Sequence, residues 1–139
     1  MVRKDNIVIS AMFLTLAVFV IFATIGLGQT SNTVDVKSKE GIGKYLTDAT
    51  GKTLYYFKKD TPGKSACAGP CVEKWPLFYS EKVVAPSGLE AKDFGTITRD
   101  DGKKQSMYKD MPLYYFFNDK NPGDTNGQGF NSVWFVVNP

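Results

Sequence analysis

Hydrophobic and polar positions divide this chain into stretches of different character. Residues 7–27 are an uncharged, mostly apolar run preceded by Arg3 and Lys4. At about 1.5 Å rise per residue in a helix, that run is long enough to cover the roughly 30 Å hydrocarbon core of a bilayer. The positive flank would stay on the cytoplasmic side and send the rest of the chain outward. Gly26-Leu27-Gly28 also offers small residues at the spacing a signal peptidase accepts. The pattern therefore predicts a signal anchor (transmembrane helix) over residues 1–28, with a cleaved signal as the alternative. Residues 29–42 are polar, with little hydrophobic period, and read as a tether. An edge strand through Val34-Asp35-Val36 is the alternative there.

From Gly43 onward the pattern changes to short β-type segments with turn chemistry between them. Lys44-Tyr45-Leu46-Thr47 runs into the turn Asp48-Ala49-Thr50-Gly51 and then a strand over 53–57. Further on, Gly95-Thr96-Ile97-Thr98 leads through Asp100-Asp101-Gly102 into 105–108. Lys109-Asp110-Met111-Pro112 reads as a turn into 113–117, and a last strand covers 132–137. No segment after residue 28 sustains a helical apolar period. Short helices around 72–75 and 89–92 are the most the sequence supports. The expected fold is mainly β, a compact antiparallel sheet or barrel occupying residues 43–139.

The segments repeat. Leu54-Tyr55-Tyr56-Phe57 is followed by Asp60, Pro62-Gly63 and Trp75; Leu113-Tyr114-Tyr115-Phe116 is followed by Asp119, Pro122-Gly123 and Trp134. Leucines, aspartates and tryptophans are all 59 positions apart, and only the Pro-Gly pair is displaced by one residue. This is an internal duplication, with copies at about 43–78 and 95–137. Alternate side chains of a strand face opposite ways, so Leu54 and Tyr56 share one face and Tyr55 and Phe57 the other. Both faces are bulky and apolar, which predicts strands covered on both sides. The main expectation for these aromatics is a core; the alternative is a solvent-facing platform of Tyr56, Trp75, Tyr115 and Trp134 for a glycan or cofactor.

Composition narrows the function classes. The net charge is +3, and without the first 28 residues it is +2, from 15 basic and 13 acidic residues. With no basic run interleaved with aromatics, nucleic acid is not an expected partner. The chain contains no histidine. That removes an imidazole for a Ser or Cys nucleophile, the ordinary catalytic zinc site and the usual covalent haem motif. Met107, Met111, tyrosine or cysteine could still ligate haem or copper, but nothing in their spacing recommends it. No cofactor is expected.

Tyr55-x-Phe57-x-x-Asp60 and Tyr114-x-Phe116-x-x-Asp119 resemble the Y-x-F/W/Y-x-x-D motif of the secreted-repeat (predicted lipoprotein) family of bacteria and archaea. Neighbouring features are similar as well: Tyr45-Leu46-Thr47-Asp48, Gly63-Lys64-Ser65, Trp75-Pro76, Thr98-Arg99-x-Asp101-Gly102 and Gly123-Asp124 onward to Trp134. The resemblance covers essentially residues 43–139. It implies an exported repeat protein of unassigned function. Lipoprotein members carry an acylated cysteine after the leader; this chain has none there, which favours a peptide anchor.

Cys67 and Cys71 flank Ala68-Gly69-Pro70 and, outside the membrane, read as a disulfide bracing one loop. A redox-active pair and a thiolate metal site are the alternatives, each disfavoured by the spacing or by incomplete coordination. Asp60 and Asp119, placed after a strand and before Pro-Gly, are expected to accept backbone N–H bonds and fix their turns. The competing reading is a calcium loop of Asp119, Asn121, Asp124 and Asn126. The function expected is an extracytoplasmic β module, held to the membrane by its N-terminal helix, that binds an envelope protein or glycan or serves a structural role. Alternatives are an electron-transfer or metal/haem-handling accessory using Cys67 and Cys71, and an envelope hydrolase using Asp60, Asp119 and Glu73.

Overall fold

The computed structural model describes residues 33–139. The apolar run at 7–27 lies outside the described residues. Among the described residues, no helix is long and apolar enough to cross a membrane. The strands are β1 (Val34–Lys39), β2 (Gly43–Asp48), β3 (Tyr55–Phe57), β4 (Phe94–Thr98), β5 (Lys104–Tyr108), β6 (Met111–Pro112) and β7 (Trp134–Val136). Among the described residues, one short helix, α1 (Pro70–Lys74), and two 3-10 turns, Ala91–Asp93 and Phe130–Ser132, complete the set. Pro70 opens α1, where its missing N–H costs nothing.

All strand pairs are antiparallel: β1 with β2, β3 with β7, and β5 between β4 and β6. The described residues thus form small sheets linked by isolated bridges, and they do not close into a barrel. Closure would leave no strand with an unpaired edge. Here each motif strand runs into an Asp-Pro-Gly loop, and the 113–117 segment keeps a bridge at Tyr114 instead of a full strand. The turn before it is also tighter than expected. Lys109 and Asp110 alone form it, with φ of 47° and 66°, and Met111–Pro112 already pairs with β5. Positive φ at both central residues is what a two-residue hairpin turn requires.

The segment expected to be a tether is corrected over its described part. Val34–Lys39 is a strand paired along its whole length with β2, and Val34 is fully buried. Val34 and Val36 supply the alternate apolar side chains that let this polar stretch join the domain. Thr33 is fixed as well, its N–H donating to the Val84 carbonyl at 2.9 Å.

The two copies are interlocked about an approximate two-fold relation. Tyr55 N–H donates to the Tyr114 carbonyl at 2.8 Å, and Tyr114 N–H returns the bond to Tyr55 at 3.0 Å. Each motif strand then pairs with the end of the other copy. Tyr55 lies opposite Val136, and Tyr114 opposite Leu77. Lys58 N–H bonds to the Val133 carbonyl, and its counterpart Phe117 N–H to Lys74. Val137 N–H bonds to Leu54, and Phe78 N–H to Leu113.

The two-sided strand pattern is reproduced. Tyr55, Tyr114, Phe116, Trp75 and Trp134 build one buried cluster with Phe57 against it. Leu54 and Leu113 build a second, with Tyr56 and Tyr115 packed against it. Complete burial of each large side chain contributes on the order of 1.5–3 kcal/mol. Most of this gain requires both copies at once. Residues 33–90 or 91–139 expressed alone are therefore expected to be unfolded by circular dichroism, and mixing the two fragments is expected to restore strand signal. A folded single copy would contradict the interlocked arrangement.

Candidate functional site

At the centre of the domain the motif side chains are exchanged between copies. The Tyr55 hydroxyl donates to Asp119 Oδ2 at 2.6 Å, and the Tyr114 hydroxyl donates to Asp60 Oδ2 at 2.6 Å. Each tyrosine of one repeat is thus held by the aspartate of the other. The second carboxylate oxygens close the loops, Asp60 Oδ1 accepting from Ala66 N–H at 2.6 Å and Asp119 Oδ1 from Asn126 N–H at 2.9 Å. The turn-fixing role expected of both aspartates is present, together with a cross-repeat role that the sequence did not reveal.

The tyrosine oxygens also accept. Gly127 N–H donates to the Tyr55 oxygen at 3.2 Å, while Ser65 Oγ lies 2.6 Å from the Tyr114 oxygen. With the Tyr114 proton directed to Asp60, Ser65 is the donor in that pair. Ser65 in turn accepts from Arg99 Nη1 at 2.7 Å and from Cys67 N–H at 3.2 Å. Arg99 is buried, bonds to Gln105 Oε1 at 2.8 Å and to the Cys67 carbonyl, and pairs with Asp101 at 3.2 Å. Its planar fork suits such convergent acceptors. Lys39 makes the related contact on the other side, reaching the Gly123 carbonyl at 3.1 Å and Thr125 Oγ1 at 3.0 Å.

Electrostatics follow from burial. Loss of water raises both the Asp60 and Asp119 carboxyls above the ordinary value, although hydrogen bonds to each act in the opposite sense. Burial and the facing carboxylate push the Tyr55 and Tyr114 hydroxyls well up, so each proton stays on its tyrosine. Asp48 goes the other way. Burial raises its carboxyl, but bonds from Thr50, Tyr115 and the Lys52 and Thr50 N–H groups together hold it below the usual value.

The tryptophans expected as possible platform residues are core residues instead. Trp75 and Trp134 are 2% and 3% exposed and stack on each other with centroids 3.8 Å apart. Phe116 stacks on Trp75 at 4.4 Å and Phe57 on Trp134 at 4.2 Å, making a four-ring column. Indoles at equivalent places in interlocked copies face each other, and stacking removes both from water. Tyr56 and Tyr115 keep partial exposure, Tyr56 near Phe135 and Tyr115 donating to Asp48 Oδ2 at 2.8 Å.

Cys67 and Cys71 form the expected disulfide, with Cα atoms 5.4 Å apart. In the calcium candidate, Asp119 is occupied as described, and Asp124 Oδ2 accepts from the N–H groups of Lys120 and Asn121. Asn126 supplies its N–H to Asp119 and its side-chain amide to the Asn118 carbonyl. Among the described residues, no group of three or more His, Cys, Asp or Glu is placed to hold a metal ion. Asp60 and Asp119 are buried under tyrosine hydroxyls, whereas Glu73 lies exposed on α1, so they do not share a solvent-facing site. Ser65 and Arg99 line a surface cleft of about 180 Å³ with Gly63, Lys64 and Ile97. It is smaller than the roughly 300 Å³ at which small-molecule sites begin.

Fold and site together define an all-antiparallel β domain of two exchanged repeats whose signature residues bind each other. The chain belongs to a family described as a secreted repeat of unknown function, whose sequence model matches residues 37–78 and 95–138. That membership supports an extracytoplasmic location. No curated protein and no solved structure matches the chain.

Tyr55→Phe or Tyr114→Phe strands a buried carboxylate oxygen and is expected to cost about 1–3 kcal/mol in urea unfolding. A double-mutant cycle should show strong coupling of Tyr55→Phe with Asp119→Asn and weaker coupling with Asp60→Asn, its own repeat's aspartate. The pH dependence has a defined sign. A carboxyl raised in the folded state adds stability that is complete below its unfolded value and is lost as pH rises through the folded value. Denaturation midpoints should therefore gain from Asp60 and Asp119 as pH falls from 7 toward about 3.9, and Asp60→Asn/Asp119→Asn should remove that gain. Asp48 contributes oppositely, its stabilisation being lost as pH falls through its depressed value.

Proposed function

We propose that the protein is a membrane-anchored, extracytoplasmic module of the cell envelope that acts by binding or by structural support, with an envelope protein or a glycan as its partner. The observation that carries this reading is the fate of the motif's polar groups. They are consumed in joining the two copies, and no buried side-chain nitrogen or oxygen among the described residues lacks a hydrogen-bond partner. A catalytic centre usually leaves reactive groups facing a cleft. Here the motif builds a scaffold, which leaves recognition to the loops and outer faces.

The reading as an electron-transfer accessory is favoured by one observation, the column Phe57–Trp134–Trp75–Phe116. Aromatic rings in continuous contact provide a route for charge. That reading needs a redox partner or bound group at one end.

Native mass spectrometry of the full chain extracted from membranes separates these readings. An intact, oxidised chain with nothing bound supports the anchored module; bound metal or haem supports the accessory. Recovery of a chain cut after Gly28 in the soluble fraction would overturn anchoring. Reduction of Cys67–Cys71 is expected to lower stability by only about 2 kcal/mol, because the loop it closes is short. Near-ultraviolet circular dichroism of the reduced protein should retain the folded signal.

A further inference from the structure

β1 and β4 are equivalent edge strands of the two copies, but they differ in how they face solvent. In the β4–β5 ladder, Arg99 N–H bonds to the Lys103 carbonyl and Lys109 N–H to Asp93. Because bonded pairs alternate along an antiparallel ladder, Gly95 and Ile97 bond to β5, while Phe94, Thr96 and Thr98 direct their backbone groups away from it. Phe94 N–H closes the preceding 3-10 turn. The Thr96 and Thr98 N–H and carbonyl groups and the Phe94 carbonyl meet no backbone partner among the described residues. Thr96 and Thr98 are exposed.

Soluble proteins guard such edges with charges or proline. β1 does so with Asp35, Lys37 and Lys39. β4 reads Phe94-Gly95-Thr96-Ile97-Thr98 and has neither.

We propose that the β4 edge is an interface between two copies of this chain, paired antiparallel about Thr96. In that register Thr96 meets Thr96 and the two exchange both backbone bonds, while each Thr98 N–H meets a Phe94 carbonyl. Ile97 lies opposite Gly95, so the branched side chain faces a residue with none. At both ends, beyond the strand itself, the register carries exposed Lys92 of one copy toward exposed Asp100 of the other; within one chain Lys92 pairs with exposed Glu90 at 2.9 Å. A strand from an unrelated protein could use the same backbone groups, but the side-chain and charge matches are symmetric and favour a second copy. Four backbone bonds make a small interface, so association is strongest where anchoring to one membrane raises the local concentration.

The test uses the full chain in membranes carrying Thr96→Cys, the native cysteines being bonded to each other. Mild oxidation is expected to give a product of twice the chain mass, in at least tenfold higher yield than Lys37→Cys on β1. Equal yields, or linkage to a different protein, would overturn the proposal. In parallel, sedimentation of the detergent-extracted chain should show self-association that Thr96→Pro and Thr96→Lys each weaken at least tenfold. The Thr96 N–H points away from β5, so Thr96→Pro keeps the internal ladder; Thr96→Lys guards against a folding defect. Unchanged association in a folded variant, or a parent chain that sediments as a monomer, would also sink the idea.

Discussion

The exchange of Tyr55 with Asp119 and of Tyr114 with Asp60 is the constraint on which the rest of the domain depends. A buried carboxylate is expensive unless its oxygens are filled, and each repeat fills only half of its own requirement. The loop N–H groups at Ala66 and Asn126 supply one bond; the other copy's hydroxyl supplies the second. The backbone pairing of Tyr55 with Tyr114 sets those hydroxyls in place, and the stacked tryptophans lie in the same cluster. Hydrogen bonding, strand pairing and apolar burial therefore all require the same juxtaposition of the two copies.

The copies have diverged around that shared centre. Where one loop is braced by Cys67–Cys71 and held by Arg99, the other carries Gly127 and is held by Lys39. Gly127 is not a neutral replacement. A Cβ there would come within 2.8 Å of the Trp75 ring and 2.9 Å of Tyr55. One loop is fixed by a covalent bond and the other by close approach of its backbone to the core.

Much of this was legible in the sequence because it is local. Strand periodicity gave the two faces of the Leu-Tyr-Tyr-Phe segments, and Pro-Gly with an aspartate gave the loops. The cysteine spacing gave the disulfide. Cross-repeat pairing was not legible, since a motif's spacing shows which residues recur and not which copy each one bonds. The platform reading of Trp75 and Trp134 failed for that reason, as each stacks against its counterpart and against a phenylalanine of the other copy. Arg99 had one available signal. It is the only arginine after Arg3, in a domain that otherwise uses lysine, and a guanidinium is the cation best suited to several buried acceptors at once. The β1 strand was obscured by its charges, which decorate an edge and dilute the alternation of Val34 and Val36.

The reciprocal exchange has a consequence for inheritance. A repeat that supplies half of its neighbour's bonds is not an independent unit that can be gained or lost singly. Adding a third copy to this chain would leave one aspartate and one tyrosine without mates, so copy number should change in twos. A gene encoding one copy would have to find the missing half in another molecule of itself, giving an entwined pair of chains. Substitutions at Tyr55 and Asp119 should likewise be selected together, across 64 residues of sequence, more strongly than substitutions at Tyr55 and Asp60 within one motif.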